Sequence, residues 1–252
     1  MRKRLYAIIC CLLLLVQPLA AQAVEKGFTV FHGDRKMQRV AVTVDDCYNI
    51  ARVQEILDIC DREDVPVTFF VIGKALKRKD GETWRRAVDM GCEIGNHTWG
   101  HRNMGRMSGK SIRQSLQNTQ KKLNELLGFD YPMQVMRPPM GKLARNPKHM
   151  SDMVVVEAIE QAGYAHAVRW DVSQTDPDEA LKETQNGSIL LYHARARDVR
   201  CLQKLIPELK KAGYRLVTVS ELLGLEEQDG EVQKRRQRQW LVQEEAENNN
   251  DS

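Results

Sequence analysis

Short apolar runs alternate along the chain with longer stretches in which apolar residues recur at helical spacing. The apolar runs predict strands at residues 40–44, 67–72, 92–95, 134–136, 165–168, 189–192 and 215–217. The periodic stretches predict helices at residues 51–61, 82–90, 111–127, 153–162 and 199–212. Strands that alternate with helices in this way are typical of βα units around a mostly parallel sheet. The pattern therefore predicts an α/β fold.

The first 23 residues have the composition of a signal peptide. Basic residues at positions 2–4 precede an apolar run at 5–16, and Ala21-Gln22-Ala23 supplies the small residues of a cleavage site. The apolar run is shorter than the roughly 20 residues that cross a bilayer. We therefore expect a cleaved signal peptide at 1–23, no stable membrane anchor, and a protein that is secreted or periplasmic, in the cell envelope.

The composition changes again near the C-terminus. Residues 226–252 are rich in Glu, Gln, Arg and Asn, which is typical of a charged polar tail. Residues 24–225 are then expected to form one domain with a sizeable core. The chain has 38 Lys and Arg against 34 Asp and Glu, and residues 2–4 of the signal peptide supply three of the basic residues. A nearly neutral mature chain does not indicate a nucleic-acid partner, and the sequence does not indicate an oligomeric state.

Four cysteines lie outside the predicted signal peptide, at positions 47, 60, 92 and 201. They show no CxxC spacing, so they do not predict a structural zinc site. Outside the cytosol a disulfide is permitted, but the spacing does not predict a pairing. We expect Cys60, Cys92 and Cys201 to be buried as small apolar residues.

Polar clusters follow the predicted strands at the points where the strands end. They are Asp45-Asp46, Asn96-His97, Arg137, Trp170-Asp171 and His193. In barrels of parallel strands the active-site residues gather at this carboxyl rim. His193 alone is also typical of a buried core histidine, but its place at a strand end favours a functional role. Arg137-Pro138-Pro139 fixes the backbone, either as a turn or to hold the arginine against an acid.

Asp45 and Asp46 are adjacent carboxylates that repel each other, and a cation would keep both ionised. Alone, such a pair is more typical of a turn or a helix cap. His97 and His101 are four residues apart, so on a helical turn both rings can face one ion. Two histidines and one carboxylate leave coordination positions open, as a hydrolytic metal site requires. Cys47 is a further candidate zinc ligand, but an extended chain points it away from Asp46, so we favour a place in the pocket lining.

Five segments in chain order resemble the motifs of the polysaccharide deacetylase family, the NodB homology domain of carbohydrate esterase family 4, over about residues 40–223. The segments are Thr43-Val44-Asp45-Asp46-Cys47, His97-Thr98-Trp99-Gly100-His101, Arg137-Pro138-Pro139-Met140-Gly141, Trp170 with Asp176, and Leu191-Tyr192-His193. They are similar to the family's Thr-Phe-Asp-Asp-Gly, His-Ser/Thr-x-x-His, Arg-Pro-Pro-aromatic-Gly, Trp followed by Asp-Trp, and Leu-x-His. Together with the alternation of strands and helices, the resemblance implies a distorted (β/α) barrel of mostly parallel strands.

The resemblance also implies a metal ion and a base. Asp46, His97 and His101 would bind a divalent metal, usually Zn²⁺, with Co²⁺ as another candidate. Asp45 would take a proton from the attacking water, and Arg137 would hold Asp45 in place.

The remaining roles concern the leaving group and the substrate pocket. His193 would protonate the leaving amine, with Asp176 tuning it, and the backbone N–H of Met140 would help to stabilise the oxyanion. The pocket lining would include Leu191, Cys47, Met140 and Trp170.

Three positions depart from the family motifs: Cys47 replaces a glycine, Met140 an aromatic residue and Pro177 a tryptophan. None of them is a proposed ligand, acid or base. The expected function is metal-dependent hydrolysis of N-acetyl groups on an extracellular or cell-wall polysaccharide, peptidoglycan or chitin-like, with release of acetate. The alternative is a catalytically weak or inactive cell-wall glycan-binding protein on the same fold. A metal hydrolase that acts on another amide is a third hypothesis.

Overall fold

The computed structural model describes residues 27–146 and 148–225. The predicted signal peptide at 1–23 and the predicted tail at 226–252 lie outside the described residues. The strands are β1 Thr29–Val30, β2 Arg39–Asp46, β3 Thr68–Val71, β4 Glu93–Asn96, β5 Ala167–Val168, β6 Ile189–His193 and β7 Arg215–Leu216. The helices are α1 Ile50–Glu63, α2 Gly81–Asp89, α3 Gly109–Leu127, α4 Met153–Glu160, α5 Pro177–Glu183, α6 Ala196–Lys211 and α7 Val219–Leu223.

All ladders between these strands are parallel, and β2 is the central strand. It pairs with β6 at Ala41–Asp45, with β3 at Thr43–Asp46 and with β7 at its first two residues, while β4 pairs with β3. A separate ladder joins β1 and β5. Single bridges connect this ladder to the main sheet. Met136 bridges both Asn96 at the end of β4 and Ala167 in β5, and Val172, shortly after β5, bridges Leu190 in β6. Strands and bridges follow the order of a distorted barrel, and the α/β fold of mostly parallel strands is confirmed.

Polar caps explain where the longer helices begin and end. Asn49 accepts a hydrogen bond from the backbone N–H of Arg52 at the start of α1, and Ser108 caps α3 in the same way. Gly128 ends α3 in the left-handed conformation, with φ 86°. Within the described residues, no helix is long and apolar enough to span a bilayer.

The residues of β2 alternate between two packed faces. Its valines are buried in a cluster with apolar residues of α1 and α6. Ala41 belongs to a second cluster on the other face, together with Phe70 and Ile189. Successive side chains of a strand point to opposite faces, so Thr43 and Asp45 share the face of Ala41. The strand thus carries a carboxylate into the protein interior, where Asp45 is 4% exposed.

The structure differs from the predicted elements mainly in short segments. β1, α5 and α7 were not predicted, because two to seven residues are too few for a periodic pattern. The strand predicted at 134–136 is wrong in extent, since only Met136 forms bridges. The strand predicted at 165–168 is reduced to β5, and α6 begins three residues earlier than predicted. The four cysteines of the described residues, Cys47, Cys60, Cys92 and Cys201, are buried with free thiols, as expected for the last three.

Candidate metal centre and active site

The parallel register brings the ends of several strands to one edge of the sheet. Asp45 on β2 lies opposite His193 on β6. Asp46 pairs with Val71 on β3, and Val71 pairs with Asn96 at the end of β4. His97 follows Asn96 directly in the chain. The carboxyl ends of parallel strands meet at a common edge. The polar residues predicted at the strand ends are therefore neighbours in space.

Asp46, His97 and His101 form a group of three potential metal ligands. Their ligand atoms all lie within 4.8 Å of one another. Oδ1 of Asp46 is 3.4 Å from Nε2 of His101 and 3.6 Å from Nε2 of His97. Asp46 is the last residue of β2, and the two histidines lie in the turn after β4, so the ends of two strands that flank β3 supply the group.

These separations suit a divalent cation. Two ligand atoms each about 2.1 Å from a tetrahedral zinc ion are about 3.4 Å apart. Oδ1 of Asp46 is buried and accepts no hydrogen bond from any described residue. A buried carboxylate oxygen without a partner is costly, and a cation at this point would remove that cost. The group contains no fourth described residue, which would leave coordination positions open for water and substrate.

His97 is held in one tautomer. Its ring is buried, and Nδ1 lies 2.8 Å from the backbone carbonyl oxygen of Arg137. A carbonyl oxygen only accepts, so Nδ1 carries the proton and Nε2 presents a lone pair towards Asp46. Burial lowers the pKa of His97, although Asp45 opposes this shift. The neutral ring is the form in which histidine binds a metal.

Asp45 is paired with an arginine that is completely buried. Nη1 of Arg137 donates to Oδ1 of Asp45 at 2.7 Å and to Oγ1 of Thr43 at 2.7 Å. Burial lowers the pKa of Arg137, and the charge of Asp45 opposes that shift. Because an arginine keeps its proton in proteins, the pair is ionic. Oδ2 of Asp45 lies 3.7 Å from Nε2 of His97 and faces the candidate metal position.

Further contacts fix the guanidinium of Arg137. Nη2 donates to the backbone carbonyl of Arg169 at 3.1 Å, and Nε donates to that of Val168 at 3.4 Å. The central carbon lies 4.2 Å from the ring centroid of Phe70, a distance at which a cation interacts with an aromatic face. The arginine therefore has little freedom to leave Asp45.

Left-handed backbone is concentrated at this edge of the sheet. The described non-glycine residues with positive φ are Asp46, Cys47, Asp64, Thr98, His101 and Met140. All except Asp64, which ends α1, belong to the motif segments. Each such residue costs about 1–3 kcal/mol, so the surrounding packing must hold these turns in place. At Cys47, with φ 58°, a glycine would avoid the cost of a Cβ atom, which explains why the family motif has glycine there.

The side chain of Cys47 points towards backbone carbonyl groups. It is 4% exposed, and Sγ lies 3.6 Å from the carbonyl oxygen of Val44 and 3.9 Å from that of Asp45. Burial, together with the charges of Asp45 and Asp46, raises the pKa of the thiol. Cys47 is not a member of the three-ligand group. The geometry favours a place in the pocket lining over a fourth zinc ligand.

His193 ends β6 and contacts a carboxylate that the sequence had not suggested. Its backbone N–H donates to Oδ2 of Asp198 at 3.0 Å, and its Nδ1 lies 3.9 Å from the same oxygen. Asp198 is 1% exposed, and its Oδ1 accepts no hydrogen bond from any described residue. Asp176, which the family resemblance pairs with His193, caps α5 by accepting from the backbone N–H groups of Asp178 and Glu179.

Three further residues of the motifs have distinct surroundings. Met140 lies in the turn Pro139–Gly141 with φ 57° and is 47% exposed. Leu191 is buried on β6. The ring of Trp170 lies 5.6 Å from the guanidinium of Arg137 and packs against Gly141, where an added Cβ would come within 3.1 Å of the indole.

Arg195 is a second residue near the site that the sequence had not suggested. Its Nη2 lies 3.8 Å from Oδ2 of Asp46, and its side chain is 61% exposed. Arg195 and Asp198 both follow His193 within five residues. Their closeness to the strand end is the one signal in the sequence that points to them.

Comparison with known proteins gives consistent matches. Residues 32–167 match the family model described as polysaccharide deacetylase. A peptidoglycan-N-acetylglucosamine deacetylase of Bacillus cereus is 30% identical over 212 residues, which are 78% of this chain and 93% of the relative. A peptidoglycan-N-acetylmuramic acid deacetylase of Bacillus subtilis is 30% identical over 199 residues, 75% of this chain and 39% of the relative.

A solved structure of similar fold is a pseudoenzyme of carbohydrate esterase family 4 from Bacillus anthracis. Its TM-score is 0.66 at 25% identity, with 77% of this chain and 68% of the other covered. A mutant of this pseudoenzyme is described as having restored enzymatic activity. The family match runs from before β2 into β5 and includes Asp46, His97 and His101. This chain belongs to the polysaccharide deacetylase family.

Proposed function

We propose that this protein removes N-acetyl groups from a cell-envelope polysaccharide, with peptidoglycan as the first candidate, and that it uses a divalent metal, Zn²⁺ or alternatively Co²⁺. The observation that carries the proposal is Oδ1 of Asp46, which is buried without a hydrogen bond and faces Nε2 of His97 and of His101. Relatives named as deacetylases of two peptidoglycan sugars support the substrate class.

Each side chain has a task that its position allows. A metal bound by Asp46, His97 and His101 would polarise the acetamide carbonyl and lower the pKa of a water. Asp45 accepts a proton from the attacking water at Oδ2, because Arg137 occupies Oδ1.

The remaining groups act on the leaving nitrogen and the oxyanion. His193, whose side chain is 29% exposed, donates a proton to the leaving nitrogen. The backbone N–H of Met140 helps to stabilise the oxyanion. Leu191, Cys47 and Trp170 line the pocket. The products are acetate and a free amino sugar.

The direct test is acetate release from N-acetylglucosamine oligomers, peptidoglycan and acetylxylan, with and without a chelator. We expect release from at least one N-acetylated glycan, a loss of at least about 100-fold after chelation, since the metal activates the nucleophile, and recovery when Zn²⁺ or Co²⁺ is added. Release that is unaffected by complete metal removal would contradict the metal dependence. Activity on small amides without activity on glycans would favour the third hypothesis.

A second candidate function is glycan binding without catalysis. The similarity to a pseudoenzyme of the same esterase family favours it. Pull-down with insoluble peptidoglycan separates the candidates, because a binding protein would be retained while no acetate appears with any metal. The three ligands and Asp45 are all present here, which favours the enzyme.

We also propose an envelope location. Relatives with the names of peptidoglycan deacetylases act where peptidoglycan is found, and residues 1–23 would direct export as a cleaved signal peptide. Fractionation of cells that produce the full chain would test this location.

Asp198 provides a test of the acid. We expect Asp198→Asn to lower kcat by about tenfold, a change worth about 1.4 kcal/mol, while KM and metal content change little. The reason is that the carboxylate beside Nδ1 of His193 loses its charge, but the amide oxygen still accepts from the backbone N–H. Steady-state kinetics and metal analysis measure these effects. A larger loss of kcat in Asp176→Asn than in Asp198→Asn would instead assign the tuning of His193 to Asp176.

A further inference from the structure

A pocket of about 380 Å³ lies beside the candidate metal centre. Gly100 and Arg102, the two neighbours of His101, both line it. Consecutive Cα atoms are about 3.8 Å apart, so the pocket borders the turn that carries a candidate metal ligand. This surface is therefore within reach of a glycan that is bound with one acetamido group at the candidate metal centre.

The charged residues that line this pocket are all cations. They are Lys74, Arg102 and Lys110, and the lining includes no Asp or Glu. All three are exposed. None of the three forms an ion pair or a side-chain hydrogen bond with any described residue. In contrast, most exposed lysines on α3, α5 and α6 lie within 4 Å of a glutamate carboxylate. The charge of the pocket is therefore uncompensated within the described protein.

An aromatic ring forms part of the same pocket. Trp99 is partly exposed, and its backbone N–H donates to Oγ of Ser115 at 2.8 Å. The backbone of Gly73 and Lys74 donates to Thr98 and Trp99, at 3.0 Å in each case. These bonds join the ligand-bearing turn to the segment after β3. An aromatic ring supplies an apolar face, and the cations supply charge, so the pocket combines what binds a sugar ring with what binds an acidic group.

More positive charge surrounds the pocket. A second hollow, which shares Met107 with the first, is lined by Arg106 and Arg145. At the candidate metal centre itself, Nη2 of Arg195 lies 3.8 Å from Oδ2 of Asp46. Clefts lined by charge of one sign concentrate ligands of the opposite sign. A neutral polysaccharide could use the ring of Trp99 but would gain no attraction from this positive charge.

From these observations we propose that the pocket formed by Lys74, Trp99, Arg102 and Lys110 binds a carboxylate on the glycan, next to the sugar that is deacetylated. This inference rests on the proposed function and specifies its substrate as an acidic N-acetylated glycan. The relatives include deacetylases named for a neutral sugar, N-acetylglucosamine, and for an acidic one, N-acetylmuramic acid. The pocket favours substrates in which the acidic sugar keeps a free carboxylate.

Three tetrasaccharides test the proposal with the full chain. One contains N-acetylglucosamine alone, one alternates it with N-acetylmuramic acid, and one alternates it with glucuronic acid. We expect kcat/KM to be about tenfold higher for an acidic tetrasaccharide than for the neutral one, and this advantage to shrink as salt is raised. Preference for both acidic tetrasaccharides indicates recognition of any sugar carboxylate. Preference for the muramic acid compound alone assigns the pocket to its lactyl carboxylate.

The variant Lys74→Gln/Lys110→Gln removes two charges without altering Arg102 beside the candidate ligand. We expect the ratio of kcat/KM between acidic and neutral substrates to fall about fivefold or more. The matched control, Lys182→Gln/Lys211→Gln, removes the same charge from exposed positions on α5 and α6 and should leave the ratio unchanged.

Calorimetric binding of the same tetrasaccharides gives a readout that does not need turnover. Tighter binding of the acidic compounds, lost in the Lys74/Lys110 variant, supports the pocket even if acetate release is too slow to measure. Equal binding and equal rates for neutral and acidic compounds overturn the pocket and leave the deacetylase proposal intact. Absence of acetate release from every glycan overturns the deacetylase proposal, whatever the binding shows.

Discussion

The variant Asp45→Asn is expected to keep its metal and to lose about 10²- to 10⁴-fold in turnover, the range that a general base contributes. The amide is nearly isosteric with the carboxylate but cannot take a proton from water. Arg137 still donates to Thr43 and to the carbonyls of Val168 and Arg169, so the arginine retains partners. Acetate release and metal content, measured on the same preparation, test this expectation.

The adjacent residue supplies the matched control. Asp46→Asn makes the same chemical change one position along the chain, but it removes the carboxylate whose Oδ1 faces the two histidines. We expect this variant to lose metal and activity together, whereas Asp45→Asn loses activity alone. Near-normal turnover in Asp45→Asn would show that the base is misassigned, and full metal content in Asp46→Asn would show the same for the ligand.

Arg137→Gln is expected to lower the free energy of unfolding by about 3–5 kcal/mol, the cost of removing one partner of a buried ion pair. Arg137 is completely buried and Asp45 is 4% exposed. Without the guanidinium, Asp45 keeps a charge away from water, or takes up a proton and can no longer act as the base. Denaturant unfolding measures the loss, and activity should fall with it.

A double-mutant cycle shows whether the ion pair causes the loss. In Asp45→Asn/Arg137→Gln neither charge remains, so we expect the double variant to be more stable than the sum of the single changes implies, by at least 1 kcal/mol. Strict additivity would mean that Arg137 acts through its bonds to Thr43, Val168 and Arg169 instead. A loss below 1 kcal/mol in Arg137→Gln alone would contradict the buried pair as a source of stability.

Sequence patterns predicted the elements that are long enough to have a period. All five predicted helices are present, because each buries one face at helical spacing, as α3 does with Ile112, Leu116 and Leu123. The segment at Met136 could not be predicted in its true extent. Its β-bridges form at a single residue, which lies between Asn96 and Ala167. The local sequence does not distinguish an apolar segment with one such bridge from a short strand.

The candidate site was predictable where chemistry lies at strand ends. The spacing of His97 and His101 and their place after an apolar run suggested that they approach Asp46, and the ligand atoms are indeed close. The turn that joins them is not a helix, since Thr98 and His101 have positive φ. The spacing of the two histidines predicted that both rings can bind one ion, but it did not predict the left-handed conformation of the turn between them.

The partner of His193 depended on tertiary packing. Asp176 and Asp198 are both acidic, and both lie at the beginning of a helix. Which carboxylate approaches His193 depends on how α5 and α6 pack against the end of β6, and no local pattern encodes that arrangement. Arg195 was missed for the same reason, because an exposed arginine in a turn has no signal of its own in a sequence rich in arginine.

Arg137 constrains two functional groups through two different atoms. Its guanidinium holds Asp45, while its backbone carbonyl fixes the proton of His97. Of these two contacts, a substitution of Arg137 removes only the one with the carboxylate of Asp45, because every amino acid has the backbone carbonyl that contacts His97. A displacement of the backbone, in contrast, would misalign the proposed base and the candidate metal ligand in one step. Distant substitutions that shift the segment around Met136 are therefore able to abolish two functions at once without touching either residue.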